Sequence, residues 1–135
     1  MLGMGSKKKL PPIRSLICEG TVVTGHLHFV EGLRIDGEVQ GDITCEEPRS
    51  ILVISENARV AGMVKAGHVI INGEVRGPIH AIELLELQPK ARVFGEMRYE
   101  LLEMHQGAQV DGELRPLKSL AVDKPALKLA ASNDA

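Results

Sequence analysis

The sequence is poor in aromatic residues and in cysteine. Of its 135 residues, two are Phe, one is Tyr and none is Trp. The flat side chains on which bases and sugars stack are therefore nearly absent. The cysteines, Cys18 and Cys45, have no zinc-ligand spacing, and we expect small core or surface residues rather than a disulfide.

Strong charge and long apolar runs are also missing. The net charge is −2 and 44% of the residues are hydrophobic, which indicates one soluble domain with tails. Lys7, Lys8 and Lys9 precede a Leu-Pro-Pro sequence rather than the apolar run of a signal peptide, and no segment is long enough to span a bilayer. We therefore expect a cytoplasmic protein. Nucleic-acid binding is unlikely because the charge of the domain is balanced, although lysines in the tails could contact phosphates nonspecifically.

A repeat of about 17 residues dominates what is present. Six valines, each followed two residues later by a glycine, share one local frame and are predicted to form a core column: Val23, Val39, Val60, Val75, Val93 and Val110. The glycines are 16, 21, 15, 18 and 17 residues apart, and the flanking positions alternate between apolar and polar. Period two is typical of half-buried strands, and self-similarity at this length is typical of a solenoid.

Each unit contains two further apolar segments. One precedes the valine, at Leu33/Ile35 and its equivalents, and one lies four residues after the glycine, at Phe29 and its equivalents. The sequence thus predicts an all-β fold over residues 19–116: a single β-helix, or solenoid, of about six rungs with three short strands per rung. Residues 1–18 and 117–135 are predicted to be disordered tails. The tight Asp36-Gly37 and Asn72-Gly73 corners are expected to need positive φ.

These unequal repeats resemble the core domain of the bactofilins. The resemblance covers roughly residues 19–116 and rests on Gly20-Thr-Val-Val-Thr-Gly-His-Leu, Leu33-Arg-Ile-Asp-Gly-Glu-Val-Gln-Gly-Asp-Ile, Val69-Ile-Ile-Asn-Gly-Glu-Val-Arg-Gly, Leu85-Glu-Leu-Gln-Pro-Lys-Ala-Arg-Val-Phe-Gly and Gly112-Glu-Leu-Arg-Pro. It implies a right-handed β-helix in a bacterial cytoskeletal scaffold. Such proteins form nucleotide-independent filaments, often membrane-associated, that contribute to cell shape or localise cell-wall or appendage machinery. It also implies that like ends meet, and that peptidoglycan hydrolases or other morphogenetic proteins are partners.

The open ends of a solenoid carry unpaired backbone groups and the last layer of the core. No amphipathic capping helix is evident in the sequence, so both ends are predicted to join further copies of the chain. The alternative is that the tails fold over the ends. The predicted polymerisation interface comprises Val23, Leu27, Leu102, Met104, Val110 and Leu114.

The amino-terminal tail is a candidate membrane contact. Met1 and Leu2 form an apolar tip beside the cluster Lys7, Lys8 and Lys9. Each lysine near an anionic leaflet contributes about 1 kcal/mol, and the many copies in a filament would bind together. This predicts localisation at the cytoplasmic face of the inner membrane. A solvated linker is the alternative.

The competing hypothesis is a small oligomeric β-helix enzyme of the γ-carbonic-anhydrase or acyltransferase type. His26 and His28 alternate on one strand face, where a zinc site between subunits could use them. Such an enzyme has a strict six-residue repeat, however, and these units are 15 to 21 residues long. Neither a hydrolase motif nor a phosphate-binding glycine loop is present. We therefore predict no enzyme activity, no catalytic residue, no metal and no cofactor.

Overall fold

The computed structural model describes residues 10–117, which form an all-β solenoid of about six turns. The fifteen strands are β1 (Ser15–Ile17), β2 (Val22–Thr24), β3 (Leu27–His28), β4 (Gly32–Ile35), β5 (Glu38–Gln40), β6 (Ile43–Thr44), β7 (Ile51–Ile54), β8 (Arg59–Ala61), β9 (Val64–Ile71), β10 (Glu74–Arg76), β11 (Ile79–Leu87), β12 (Arg92–Phe94), β13 (Met97–Met104), β14 (Gln109–Asp111) and β15 (Leu114–Pro116). The predicted fold class is confirmed. Within residues 10–117 the chain has no helix long and apolar enough to cross a membrane.

Successive turns pair through parallel strands. One sheet has the order β2-β5-β8-β10-β12-β14, and the other follows β1-β4-β7-β9-β11-β13-β15. In the first sheet the six repeated valines pair directly from turn to turn. We call such a set of equivalent residues in successive turns a column. The valine column faces the core, since its four middle members are at most 1% exposed.

Two of the other core columns reach both ends of the solenoid. The isoleucine column contains Ile17, Ile35, Ile54, Ile71, Leu87 and Met104. The Leu27 column contains Leu27, Ile43, Val64, Ile79, Met97 and Leu114. Each fully buried side chain of this size contributes about 1.5–3 kcal/mol, so the stacked columns are the main source of stability.

The number of separate strands per turn changes along the solenoid. The early turns have three short strands, as predicted, because a corner separates β3 from β4 and a longer loop separates β6 from β7. In the later turns two of the three run together as β9, β11 and β13. A register shift between Ala81 and Leu84 marks the corner inside β11. The corner remains, but only a few residues form it, so the strand continues through it.

From the second Val-x-Gly frame onward, the glycine allows the turns to approach closely. Gly62 has a φ of 153°, and a Cβ at this position would lie 2.2 Å from the carbonyl oxygen of Gly41 in the turn below. Gly41 stands in the same relation to Gly25, at 2.0 Å. Any side chain here would collide with the neighbouring backbone, which explains why the glycine recurs.

The two tight corners use glycine for a different reason from the one predicted. Neither Gly37 nor Gly73 has a positive φ, so that expectation was wrong. A Cβ at Gly37 would lie 2.4 Å from the carbonyl oxygen of Cys18, and one at Gly73 would lie 2.2 Å from that of Ser55. Each tight corner packs directly over the backbone of the preceding turn, and glycine is required by space alone.

The solenoid begins earlier than residue 19. Strand β1 lies inside the range 1–18 that the sequence analysis assigned to a tail, and it pairs with β4 through Ile17 and Ile35. No Val-x-Gly frame precedes this strand, so the repeat pattern did not include it. Residues 1–9 and 118–135, where the rest of the predicted tails fall, lie outside the described residues.

The two cysteines lie in different environments. Cys45 is buried, at 1% exposure, while Cys18 is exposed. Both are free thiols.

Candidate assembly surfaces

The carboxy-terminal end of the solenoid exposes side chains that belong to core columns. Met104 is 45% exposed, although the preceding members of the isoleucine column from Ile35 to Leu87 are 0% exposed. Leu114 is 40% exposed, whereas the preceding members of its column, from Ile43 to Met97, are at most 1% exposed. The side chains of each column are apolar both in the middle turns and at the end. What differs is that, among residues 10–117, no further turn covers Met104 and Leu114.

Three other side chains complete this end. Leu102, Ala108 and Val110 are partly buried and pack against the core cluster. Together with Met104 and Leu114 they form one apolar layer. The structure therefore brings the four predicted residues of this end onto a single surface, and it adds Ala108.

The amino-terminal end is the counterpart. Val23 and Leu27, the two predicted residues, lie in the first turn and are partly buried, and Ile17 of β1 joins them. Their column partners in the second turn, Val39 and Ile43, are 0% exposed. Sequence reasoning missed Ile17. The sequence signal that was available is the short segment that forms β1, in which Ile17 occupies the position equivalent to Ile35 in the next turn.

The backbone at both ends is open on one side. Within residues 10–117, strands β1, β2 and β3 each pair only with the following turn, and β14 and β15 only with the preceding one. Parallel strands with one unpaired edge offer N–H and C=O groups to another strand. Pro116 in β15 lacks an N–H and removes one donor from this edge. The remaining groups suit pairing with another chain.

The sides of the solenoid differ from its ends because their charges are paired across turns. Glu38, Arg59, Glu74 and Arg92 form an outward column of alternating sign. Glu74 accepts a hydrogen bond from Arg76 Nε at 2.7 Å, which holds the pKa of Glu74 below its usual value, and the neighbouring charges of Arg92 and Arg59 act in the same direction. Across turns, Arg92 Nη2 lies 3.6 Å from Glu74 Oε1, and such a cross-strand pair favours the observed register.

Charge pairs also border the carboxy-terminal end. Arg115 Nε lies 3.1 Å from Glu96 Oε2, and its Nη2 lies 2.5 Å from Glu113 Oε1. The contact with Glu113 is the larger cause of the raised pKa of Arg115. The pKa of Glu96 is lowered, first by the hydrogen bond from Arg98. The end is thus an apolar centre with paired charges at its border, which is the general anatomy of a protein interface.

The histidines considered for the enzyme hypothesis lie in the first turn. His26 Nε2 is 3.0 Å from Thr44 Oγ1, a contact between adjacent turns, and His28 lies on β3 with an exposed side chain.

In the middle turns His80 lies between Lys65 and Arg98. Burial is the main cause of its lowered pKa, and these two cations add to the effect.

The predicted membrane contacts cannot be placed on these surfaces. Met1, Leu2, Lys7, Lys8 and Lys9 all lie outside the described residues.

Comparison with known proteins agrees with the architecture. A family model described as "Bactofilin: Polymer-forming cytoskeletal" matches residues 15–115. The chain is 29% identical over 93 residues to Bactofilin BacP of Myxococcus xanthus (strain DK1622), an alignment that covers 69% of this chain and 38% of that protein. The chain thus spans about two fifths of the length of this curated relative. No solved structure is matched significantly. On the strength of the family match over the whole solenoid, this chain belongs to the bactofilins, a family of polymer-forming cytoskeletal proteins.

Proposed function

We propose that this protein is a cytoskeletal scaffold whose subunits join end to end, so that the core columns of one subunit continue into the next. The supporting observation is that the same columns are buried in the middle turns and exposed at the end. Met104 and Leu114 are 45% and 40% exposed, against at most 1% for the members directly before them, Leu87 and Met97. A further subunit would cover both side chains.

The direction of growth follows from the distribution of polar groups. The sides carry cross-turn charge pairs, which need no partner, while the ends carry apolar side chains and unpaired strand edges. Contact through the ends removes apolar surface from water and completes backbone hydrogen bonds at once. No nucleotide is required for either contribution.

Electron microscopy of the purified full chain, without nucleotide or metal, tests this proposal. We expect long thin filaments from the wild type and their loss in Met104→Arg, because the new cation would be buried at the junction. Ile70→Arg is the matched control. Ile70 is an outward-facing apolar residue in the middle of the solenoid, and it pairs with Glu86, which would accommodate an arginine.

Two results would reject the end-to-end contact. One is filaments of Met104→Arg that match the wild type in length and number. The other is equal loss of filaments in Ile70→Arg with the fold intact by circular dichroism. Discrete wild-type trimers would instead favour the enzyme hypothesis.

We further propose that the amino-terminal segment attaches the filament to an anionic membrane, at the cytoplasmic face of the inner membrane. The support is its composition, with Met1 and Leu2 beside Lys7, Lys8 and Lys9, together with the membrane association that the family resemblance implies. Each lysine contributes about 1 kcal/mol near such a surface, so a single chain binds weakly and a filament binds through many copies.

Flotation with vesicles of phosphatidylglycerol and phosphatidylcholine tests the attachment. Deletion of residues 2–9 should release the filaments from the vesicles without dissolving them. The control is the triple substitution of Lys7, Lys8 and Lys9 by Gln, which keeps the apolar tip and should weaken binding less than the deletion. Unchanged flotation of the deletion variant would refute this role. At the membrane, such a filament would serve as a scaffold for morphogenetic partners such as peptidoglycan hydrolases.

A further inference from the structure

Three potential metal ligands converge on the outer face of the last two turns. Glu86 belongs to β11, Glu103 to β13, and His105 follows β13 directly. Their ligand atoms all lie within 4.8 Å of one another. His105 Nε2 is 3.1 Å from Glu86 Oε2.

The fold itself creates this convergence. Glu86 and Glu103 are direct partners in the parallel ladder, so their carboxylates project from adjacent strands on the same face. His105 lies two residues beyond Glu103 and returns to that face because side chains alternate along an extended chain. The amide of Gln88 donates a hydrogen bond to Glu86 Oε2 at 3.3 Å, which restrains this carboxylate.

The charge arrangement here differs from the rest of the surface. Glu96 and Glu113 are also neighbours across turns, but Arg115 lies between them and contacts both. For Glu86 and Glu103, no Lys or Arg lies within ion-pair distance among residues 10–117, and His105 contacts only Glu86. Like charges directly opposite in a ladder destabilise it. A bound cation would remove this repulsion.

We propose that Glu86, Glu103 and His105 bind a divalent transition-metal ion such as Zn²⁺. Two carboxylate oxygens and one imidazole nitrogen form a mixed ligand set that Zn²⁺ and Co²⁺ accept, with water in the remaining positions. At tetrahedral angles, bonds of about 2.0–2.2 Å place the ligand atoms about 3.3–3.6 Å from one another. Glu103 and His105 are exposed, so small rotations of these side chains close the remaining gap.

The sequence prediction of no metal site weighed the two cysteines and the histidines, above all His26 and His28, and did not combine a histidine with carboxylates. The present cluster joins residues 17 and 19 positions apart, Glu86 with Glu103 and with His105. Glu86 and Glu103 are one repeat apart and are direct partners in the ladder between β11 and β13, and His105 joins them on the same face.

Metal binding is measured on the full chain without an affinity tag, after treatment with a chelator. Equilibrium dialysis against Zn²⁺, and the visible absorption of Co²⁺ displaced by Zn²⁺, should show about one ion per chain. Glu103→Gln and His105→Gln should each weaken binding about tenfold or more. His68→Gln is the matched control, because it removes another His–Glu pair, His68 with Glu83 at 2.8 Å, which has no third ligand within the described part of the chain.

A thermal shift separates binding at this site from a structural effect of the substitutions. Zn²⁺ should raise the unfolding midpoint of the wild type and of His68→Gln, but not that of Glu103→Gln. Without metal, Glu103→Gln should be at least as stable as the wild type because it relieves the repulsion. No binding by the wild type, or binding left unchanged by both site variants, would overturn the proposal. Neither measurement depends on filaments, so it can fail or succeed independently of the assembly model.

Discussion

Leu27 and Leu114 are the first and last members of one core column, and substituting them separately reveals how subunits are joined. The perturbation is Leu114→Arg at the carboxy-terminal end, Leu27→Arg at the amino-terminal end, and both together. If like ends meet, each single variant retains one functional junction and stops at a dimer. If unlike ends meet, every junction within one single variant contains the substituted end, so each variant alone stays monomeric, and a dimer forms only when the two single variants are mixed.

The size of the effect follows from the exposure of Leu114. This side chain is 40% exposed, and complete burial of a leucine contributes about 1.5–3 kcal/mol, so a junction gains about 0.6–1.2 kcal/mol from each copy. Burying the guanidinium of the variant costs several kcal/mol more. A loss of at least about 3 kcal/mol per junction raises the critical concentration for assembly about 150-fold.

Sedimentation velocity and light scattering provide the readout. Below the raised critical concentration, we expect dimers from each single variant alone and monomers from the double variant, which is the pattern for like ends. Monomers from each single variant, with dimers appearing only on mixing, would show that unlike ends meet. Filaments from the double variant, with its fold intact by circular dichroism, would refute the reasoning that the columns form the junction.

Three further outcomes test the solenoid and its surface. In chemical denaturation, Gly62→Ala should lower the free energy of unfolding by about 1–3 kcal/mol more than Gly25→Ala does. Both glycines have positive φ, but of the two only Gly62 would bring a Cβ against the turn below. Equal losses of unfolding free energy would contradict the close-approach argument. Val75→Ala should cost about 2 kcal/mol of unfolding free energy because Val75 is 0% exposed, and a loss below about 0.5 kcal/mol would contradict tight packing of the valine column. Glu74 has a lowered pKa in the folded state, so its stabilising effect is complete above the unfolded pKa of about 4.3 and is lost as the pH falls through the folded pKa. Glu74→Gln should therefore make the free energy of unfolding depend less on pH in the acid range. An unchanged pH dependence would show that the Arg76 contact does not stabilise the fold.

The repeating part of the fold could be predicted from the sequence because each turn needs an apolar residue in the core and, two residues later, a glycine. The Val-x-Gly frame appears wherever a core valine precedes a backbone segment that passes close to the turn below, and so Val39, Val60, Val75 and Val93 were identified as one column. Strand β1 escaped this pattern because it precedes the first Val-x-Gly frame and has Ser15 where the equivalent strand β4 has Leu33. Its three residues resemble any short alternating segment.

The surface features were harder to predict because they depend on register between turns. The ladder register between β11 and β13 brings Glu86, Glu103 and His105 together, and the repeat pattern alone did not join the histidine to the two carboxylates. The reason for glycine at Gly37 and Gly73 was also hidden, since a dipeptide such as Asp-Gly suggests a turn conformation while the actual constraint is a carbonyl oxygen in the preceding turn. Long-range contacts of this kind have no local signature.

The axial repeat of the filament, measured by cryo-electron microscopy, tests the end-to-end account most directly. About six turns at about 4.8 Å per layer give a subunit length of about 29 Å along the filament axis, with strands running across that axis. We expect this spacing per subunit, or about 58 Å for a pair of subunits joined through like ends, and a strong meridional signal near 4.8 Å. A filament with its strands parallel to the axis, or with subunits packed side by side, would contradict the account.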